Sequence, residues 1–120
     1  MKLLGQFQDI AKVLTATANG STLKLEDQMA GQVPTKVHAF LKVTAVSGTT
    51  PSLTMKLQYS YDNSTWTDVP SGAMSAITAV GIKELNAVAT IGAARFYRWV
   101  ATISGTTPSF TFDMNVVFSD

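Results

Sequence analysis

The chain contains no cysteine. That excludes disulfides, thiolate metal sites and thiol nucleophiles, and leaves the compartment open. Charge is also scarce. Only 14% of residues are charged, against roughly 25% in ordinary soluble domains. The net charge is +1, with basic residues scattered from Lys2 to Arg98. No basic stripe for nucleic acid or anionic lipid is present. The single histidine, His38, has no cysteine or carboxylate cluster around it in sequence and is a poor metal site. No paired nucleophile stands near it, so it reads as a packed or surface histidine. Glu26 and Asp27 are adjacent in a loop and the other acids are isolated, so no carboxylate pair for glycoside hydrolysis can be assembled. There is no Gly-rich phosphate loop, no GxSxG elbow and no HExxH. No apolar run reaches the length of a membrane span. The start, MKLLGQFQDI, is too short in apolar residues for a signal-peptide core, and Gln6, Gln8 and Asp9 interrupt it. The expectation is a protein without enzymatic activity, cofactor, metal, nucleic acid or membrane, made in the cytoplasm without a signal peptide.

What is present is a large hydroxyl content. Sixteen Thr and ten Ser supply the polar surface in place of charge. With 46% apolar residues, the 120-residue chain is expected to form one domain, residues 1–120. A surface short of charge is poorly protected against association, which fits a subunit of an assembly. A simple Thr-rich β domain has the same composition. Leu3, Leu4, Phe7 and Ile10 have helix-like spacing over a short span, so residues 1–11 read as an N-terminal arm docking on a neighbour or as an edge segment.

The dominant period is two. Leu53, Met55, Leu57, Tyr59 and Tyr61 alternate with polar residues, as do Phe110, Phe112, Met114, Val116 and Phe118. These are half-buried strands with one wet face. Val37–Val46 is more apolar on both faces, with His38 and Lys42 as exceptions, and Ala94–Ile103 carries Phe96, Tyr97, Trp99, Val100 and Ile103, so both read as strands nearer the middle of the sheets. Shorter candidates are Lys12–Ala16, Thr22–Leu25, Trp66–Val69, Met74–Thr78 and Lys83–Ala89, and Leu25–Ala30 has room for one helical turn. Turn residues separate them, at Asn19-Gly20, Gly31 to Pro34, Asp62-Asn63-Ser64, Pro70-Ser71-Gly72 and Gly92. The fold class predicted is all-β: a two-sheet antiparallel sandwich, jelly-roll-like, with eight or nine strands.

The sequence repeats itself. Val43–Gln58 reads VTAVSGTTPSLTMKLQ and Val100–Asn115 reads VATISGTTPSFTFDMN, identical at eight of sixteen positions. SGTTPS occurs at Ser47–Ser52 and at Ser104–Ser109. Gly48 and Gly105 can take positive φ without steric cost. Pro51 and Pro108 fix φ and remove a donor. Each copy is therefore expected to be a β-hairpin or a corner, with both turning at the same edge. The paired tips, Thr49, Thr50 and Pro51 with Thr106, Thr107 and Pro108, are candidate partner contacts, as are Leu3, Leu4 and Phe7. Good turn chemistry used twice is the competing explanation.

The stretch YSYDNSTWTDV, Tyr59–Val69, resembles the Asp box of sialidases at Ser60, Asp62, Thr65 and Trp66, without its glycine and one residue short. It also resembles the hairpin of discoidin-like carbohydrate-binding sandwiches. A structural hairpin is the expectation, with Asp62 capping the turn. Asp62, Asn63 and Asp68 make at most a weak calcium candidate. Arg95, Tyr97 and Trp99 share one strand face and Phe96, Arg98 and Val100 the other, which splits the one basic-aromatic cluster. Core packing with the arginines at a strand end or rim is expected over a stacking platform.

From Lys36 to Phe118, the two SGTTPS corners, the Asp62–Trp66 hairpin and the Ala94–Val100 strand together resemble small virion proteins of tailed bacteriophages. These are the β-sandwich decoration, or cement, proteins of the capsid exterior. The resemblance implies a location on the virion and the major capsid protein as partner. It also implies a homo-dimer or homo-trimer at a symmetry axis, bridging neighbouring capsid subunits without catalytic residues. A carbohydrate-binding module, marked by an exposed Trp66 or Tyr61, and a phage tail or head–tail connector subunit are the alternatives.

Overall fold

The computed structural model describes residues 3–20, 22–24, 36–88 and 96–119. Seven strands lie there: β1 (Leu3–Leu14), β2 (Ala18–Asn19), β3 (Leu23–Lys24), β4 (Lys36–Ser60), β5 (Thr67–Ala73), β6 (Gly81–Val88) and β7 (Phe96–Ser119). All pairings are antiparallel, and no described residue is helical. The candidate turn Leu25–Ala30, the acids Glu26 and Asp27, the turns at Gly31 to Pro34 and Gly92, and Arg95 lie outside the described residues.

The architecture rests on β4 and β7, of 25 and 24 residues. They pair along their whole length, from Lys36↔Ser119 to Ser60↔Phe96. The first half of β4 therefore lies on the second half of β7, and the reverse. Around the first half of β4 the order is β1-β7-β4-β6. Around its second half, β5 flanks β4 while β2 and β3 flank β7. All seven strands thus belong to one hydrogen-bonded sheet, where the sequence predicts two sheets of eight or nine strands in total. Met74–Thr78, expected as a strand, makes only a bridge, Leu53↔Ile77.

The sheet doubles over so that its inner faces meet. Trp99 and Phe112, from opposite halves of β7, stand edge to face with centroids 5.5 Å apart. Tyr97 and Phe118 do the same at 4.6 Å. Around them pack Val37, Leu41, Val43, Leu53, Met55, Leu57, Phe110 and Met114, all essentially inaccessible to water. Such side chains contribute about 1.5–3 kcal/mol each on burial. Val37–Val46, expected to be more apolar on both faces apart from His38 and Lys42, alternates from Val37 to Val43. Val37, Ala39, Leu41 and Val43 are buried, while Phe40 and Lys42 point out. The half-sheet has one wet face, and Phe40 stays 38% exposed on it.

Candidate functional site

The two SGTTPS segments are opposite each other in the ladder. Ser47 pairs with Ser109, Thr49 with Thr106, and Ser52 with Ser104. Neither copy is a hairpin. Each is a bend inside one long strand, and the two bends stack to form a single corner. Exchanging the copies maps Ser47↔Ser109 onto Ser52↔Ser104, Val46↔Phe110 onto Leu53↔Ile103, and Thr49↔Thr106 onto itself. The corner therefore has an internal two-fold through Thr49 and Thr106. The symmetry ends at Thr44, a bulge residue between Val43↔Phe112 and Ala45↔Thr111. Its hydroxyl donates to the Thr111 carbonyl at 3.2 Å.

The repeated letters follow from this geometry. Gly48 and Gly105 have φ of 109° and 118°, and Thr50 and Thr107 have φ of 48° and 47°. Positive φ is free for glycine, but it strains a β-branched residue. The four threonines are exposed, and Pro51 and Pro108 are half-buried. The six corner residues expected to touch a partner thus form one surface.

The structure does not bring Leu3, Leu4 and Phe7 to that surface. They belong to β1, which pairs with β7 from Leu3↔Ser119 to Leu14↔Phe110. Ser119 lies ten residues along β7 from Ser109, or roughly 30 Å of extended strand from the corner. The side chains of Leu3, Leu4 and Phe7 lie outside the described residues. Residues 3–11 are the edge strand of this chain's own sheet. Asp9 accepts a hydrogen bond from the Trp99 indole Nε1 at 2.6 Å. The β1 bulge at Ala11 (φ 54°) is held by its N–H donating to Asp113 Oδ1 at 2.7 Å.

The Asp62 hairpin is a capped turn. The Asp62 carboxylate accepts from the backbone N–H of Thr65 at 2.8 Å and of Ser64 at 2.9 Å, and from the Ser60 hydroxyl at 3.0 Å. These bonds, that of Thr65 foremost, hold its carboxyl below the usual carboxylate range. Asp68 faces elsewhere. It accepts from Gln58 Nε2 at 2.9 Å and pairs with Lys56 Nζ at 3.2 Å. The hydrogen bond from Gln58, then the hydrogen bond and charge of Lys56, hold its carboxyl below the usual carboxylate range. Asp62 and Asp68 thus have separate partners and do not converge on a calcium position. Among the described residues no cluster of metal-ligating side chains is present.

One arrangement went unread in sequence. The Arg98 guanidinium lies 4.2 Å from the centroid of the Trp66 ring. Its Nε donates to Gln58 Oε1 at 2.9 Å. Arg98 thus sits on the outer face of the sheet near the start of β7, in a row of contacts running Lys56, Asp68, Gln58, Arg98, Trp66. The available signal was strand parity, which places Arg98 and Gln58 on wet faces. Tyr61, at the hairpin start, is 54% exposed. His38 is half-buried beside an open cleft of about 250 Å³ lined by Phe40, Glu84, Asn115 and Val117.

The fold has relatives among solved structures. The chain superimposes on the PBSX exported protein XepA with a TM-score of 0.57 and 14% identity, over 98% of this chain and 36% of that one. It therefore spans little more than a third of that protein. It also matches the SPBc2 prophage-derived protein YomS with a TM-score of 0.50 and 12% identity, over 93% of this chain and 92% of that one. At these identities the likeness is one of fold. No protein-family model matches the sequence, and no curated protein sequence matches it.

Proposed function

We propose that the chain is a structural subunit of a tailed-phage particle, with no catalytic role. In this reading the doubled sheet acts as a jelly-roll-like sandwich that decorates the capsid exterior. It bridges neighbouring copies of the major capsid protein as a homo-dimer or homo-trimer. The observation that carries the reading is the match in fold, over nearly the whole chain, to two phage-derived proteins. The corner supports it physically. Backbone strain in β-branched residues persists where the surroundings over-determine it, and such strain clusters at functional positions. Here it falls on Thr50 and Thr107, two exposed residues of a low-charge tip.

The mechanism is additive. Each copy buries a modest uncharged surface across a seam between subunits, and repetition over the shell raises the barrier to rupture. The test adds the purified chain to shells that lack it. Co-sedimentation in stoichiometric amounts and a higher rupture temperature support the reading. Shells that neither bind the chain nor gain stability refute it.

A further inference from the structure

We infer that the outer sheet face centred on Arg98 is a binding site for a carboxylate-bearing saccharide. The argument starts from the arginine. Its guanidinium is stacked on Trp66, and its Nε is committed to Gln58. Gln58 is fixed in turn by donating to Asp68, which is held by Lys56. The planar fork is therefore oriented before any ligand arrives. Among the described residues, no acceptor engages its Nη hydrogens and no carboxylate pairs with it. The nearest acid along the row, Asp68, spends its oxygens on Gln58 and Lys56. A fixed guanidinium with uncommitted Nη hydrogens suits the two oxygens of a carboxylate.

The surroundings favour a hydrated ligand over a protein face. Protein interfaces centre on desolvated apolar anchors. This row is polar except for Trp66 at its end, and that ring is covered on one side by the guanidinium. Lys56, Gln58, Trp66 and Arg98 are all half-buried, hence fixed yet reachable. Hydroxyls at Thr54 and Thr102, paired across β4 and β7, extend the hydrogen-bonding surface along the strands. An acidic sugar chain lying across the strands meets the fork with its carboxylate and the row with its hydroxyls. This assignment stands apart from the virion reading and does not depend on it.

The test is a titration of the isotope-labelled full chain, followed by NMR. The probes are a uronic-acid trisaccharide, its carboxyl-reduced neutral counterpart, and an acidic hexapeptide. The Trp66 indole and Arg98 Nε signals are expected to shift saturably with the acidic sugar. The Trp99 indole, buried against Asp9, should stay still. The neutral sugar should bind at least tenfold more weakly, and Arg98→Gln and Arg98→Lys should each lose at least tenfold. The comparison of acidic with neutral sugar needs no variant, so it holds even if a substitution disturbs folding. Absence of a saturable shift, equal binding of the neutral sugar, or tighter binding of the peptide overturns the assignment.

Discussion

Gly48 and Gly105 each lie against the turn backbone of the other's repeat. A Cβ on Gly48 would fall 2.6 Å from the Thr107 carbonyl oxygen, and one on Gly105 would fall 2.7 Å from that of Thr50. Each repeat thus needs its glycine because of the other repeat. Both atoms met are backbone, which cannot swing aside. Gly48→Ala and Gly105→Ala should each destabilise the fold by about 1–3 kcal/mol, from positive-φ strain and the clash together. The double variant should lose less than the sum, because the first substitution already opens the shared corner. Urea unfolding of the four-member cycle measures this.

The same corner holds a strain that can be relieved. Thr50 and Thr107 are β-branched at positive φ. Asparagine tolerates that conformation far better. Thr50→Asn should stabilise the isolated chain by up to about 1 kcal/mol, read as a higher urea midpoint at constant slope. If the corner is a partner contact, the same variant should bind shells less well.

Trp99 is clamped from two sides. Asp9 accepts its indole N–H, and Gly20 lies under its ring, where a Cβ would fall 2.3 Å from a ring carbon. Asp9→Ala should cost about 1–3 kcal/mol by leaving a buried donor unpaired. Asp9→Asn keeps an acceptor and should cost less. Gly20→Ala should cost about 1–3 kcal/mol by overpacking. Near-ultraviolet circular dichroism reports the indole directly, and denaturation gives the energies.

Tyr97 carries the opposite liability. Its ring is buried against Phe118, and among the described residues its hydroxyl has no hydrogen-bond partner. Burial, with smaller contributions from Tyr59 and Tyr61, pushes its phenol well above the ordinary value. Tyr97→Phe removes an unpaired polar atom, so it should be neutral or stabilising by about 1 kcal/mol. A loss of stability would mean that the hydroxyl has a partner.

Acid should loosen the Asp62 hairpin and the Asp68 row first. Both carboxyls are held below the ordinary value of 3.8 by bonds made only in the folded chain. A depressed folded value means the contribution is complete above the unfolded value. It is lost as pH falls from about 4 through the folded values. Stability should therefore decline below pH ~4, and Asp62→Asn should flatten part of that decline. Both groups are exposed, so the effect should be small and weakened by salt.

Much of the strand content was legible because a half-buried strand writes its burial into alternate residues. Leu53, Met55 and Leu57, and Phe110, Phe112 and Met114, are inward as the pattern implies. The corner was legible as a backbone irregularity, since glycine and proline mark one locally. Its partner was not, because pairing between segments 57 positions apart leaves no local trace. Glycine followed by proline therefore left hairpin and corner both open, and only the pairing shows that each strand bends and continues. The Arg98–Trp66 stack was hidden for a related reason. It joins a hairpin residue to β7, a strand brought near only by its pairing with β4. Phe40 misled because an apolar residue on a wet face has the same letters as a buried one.

The most direct test of the central claim is the copy number of this chain in purified particles from its source, by quantitative mass spectrometry. An abundance comparable with the major capsid protein is the result predicted for a capsid-decorating subunit. A handful of copies per particle would contradict decoration and move the chain to the tail or connector, and complete absence would contradict a virion role altogether.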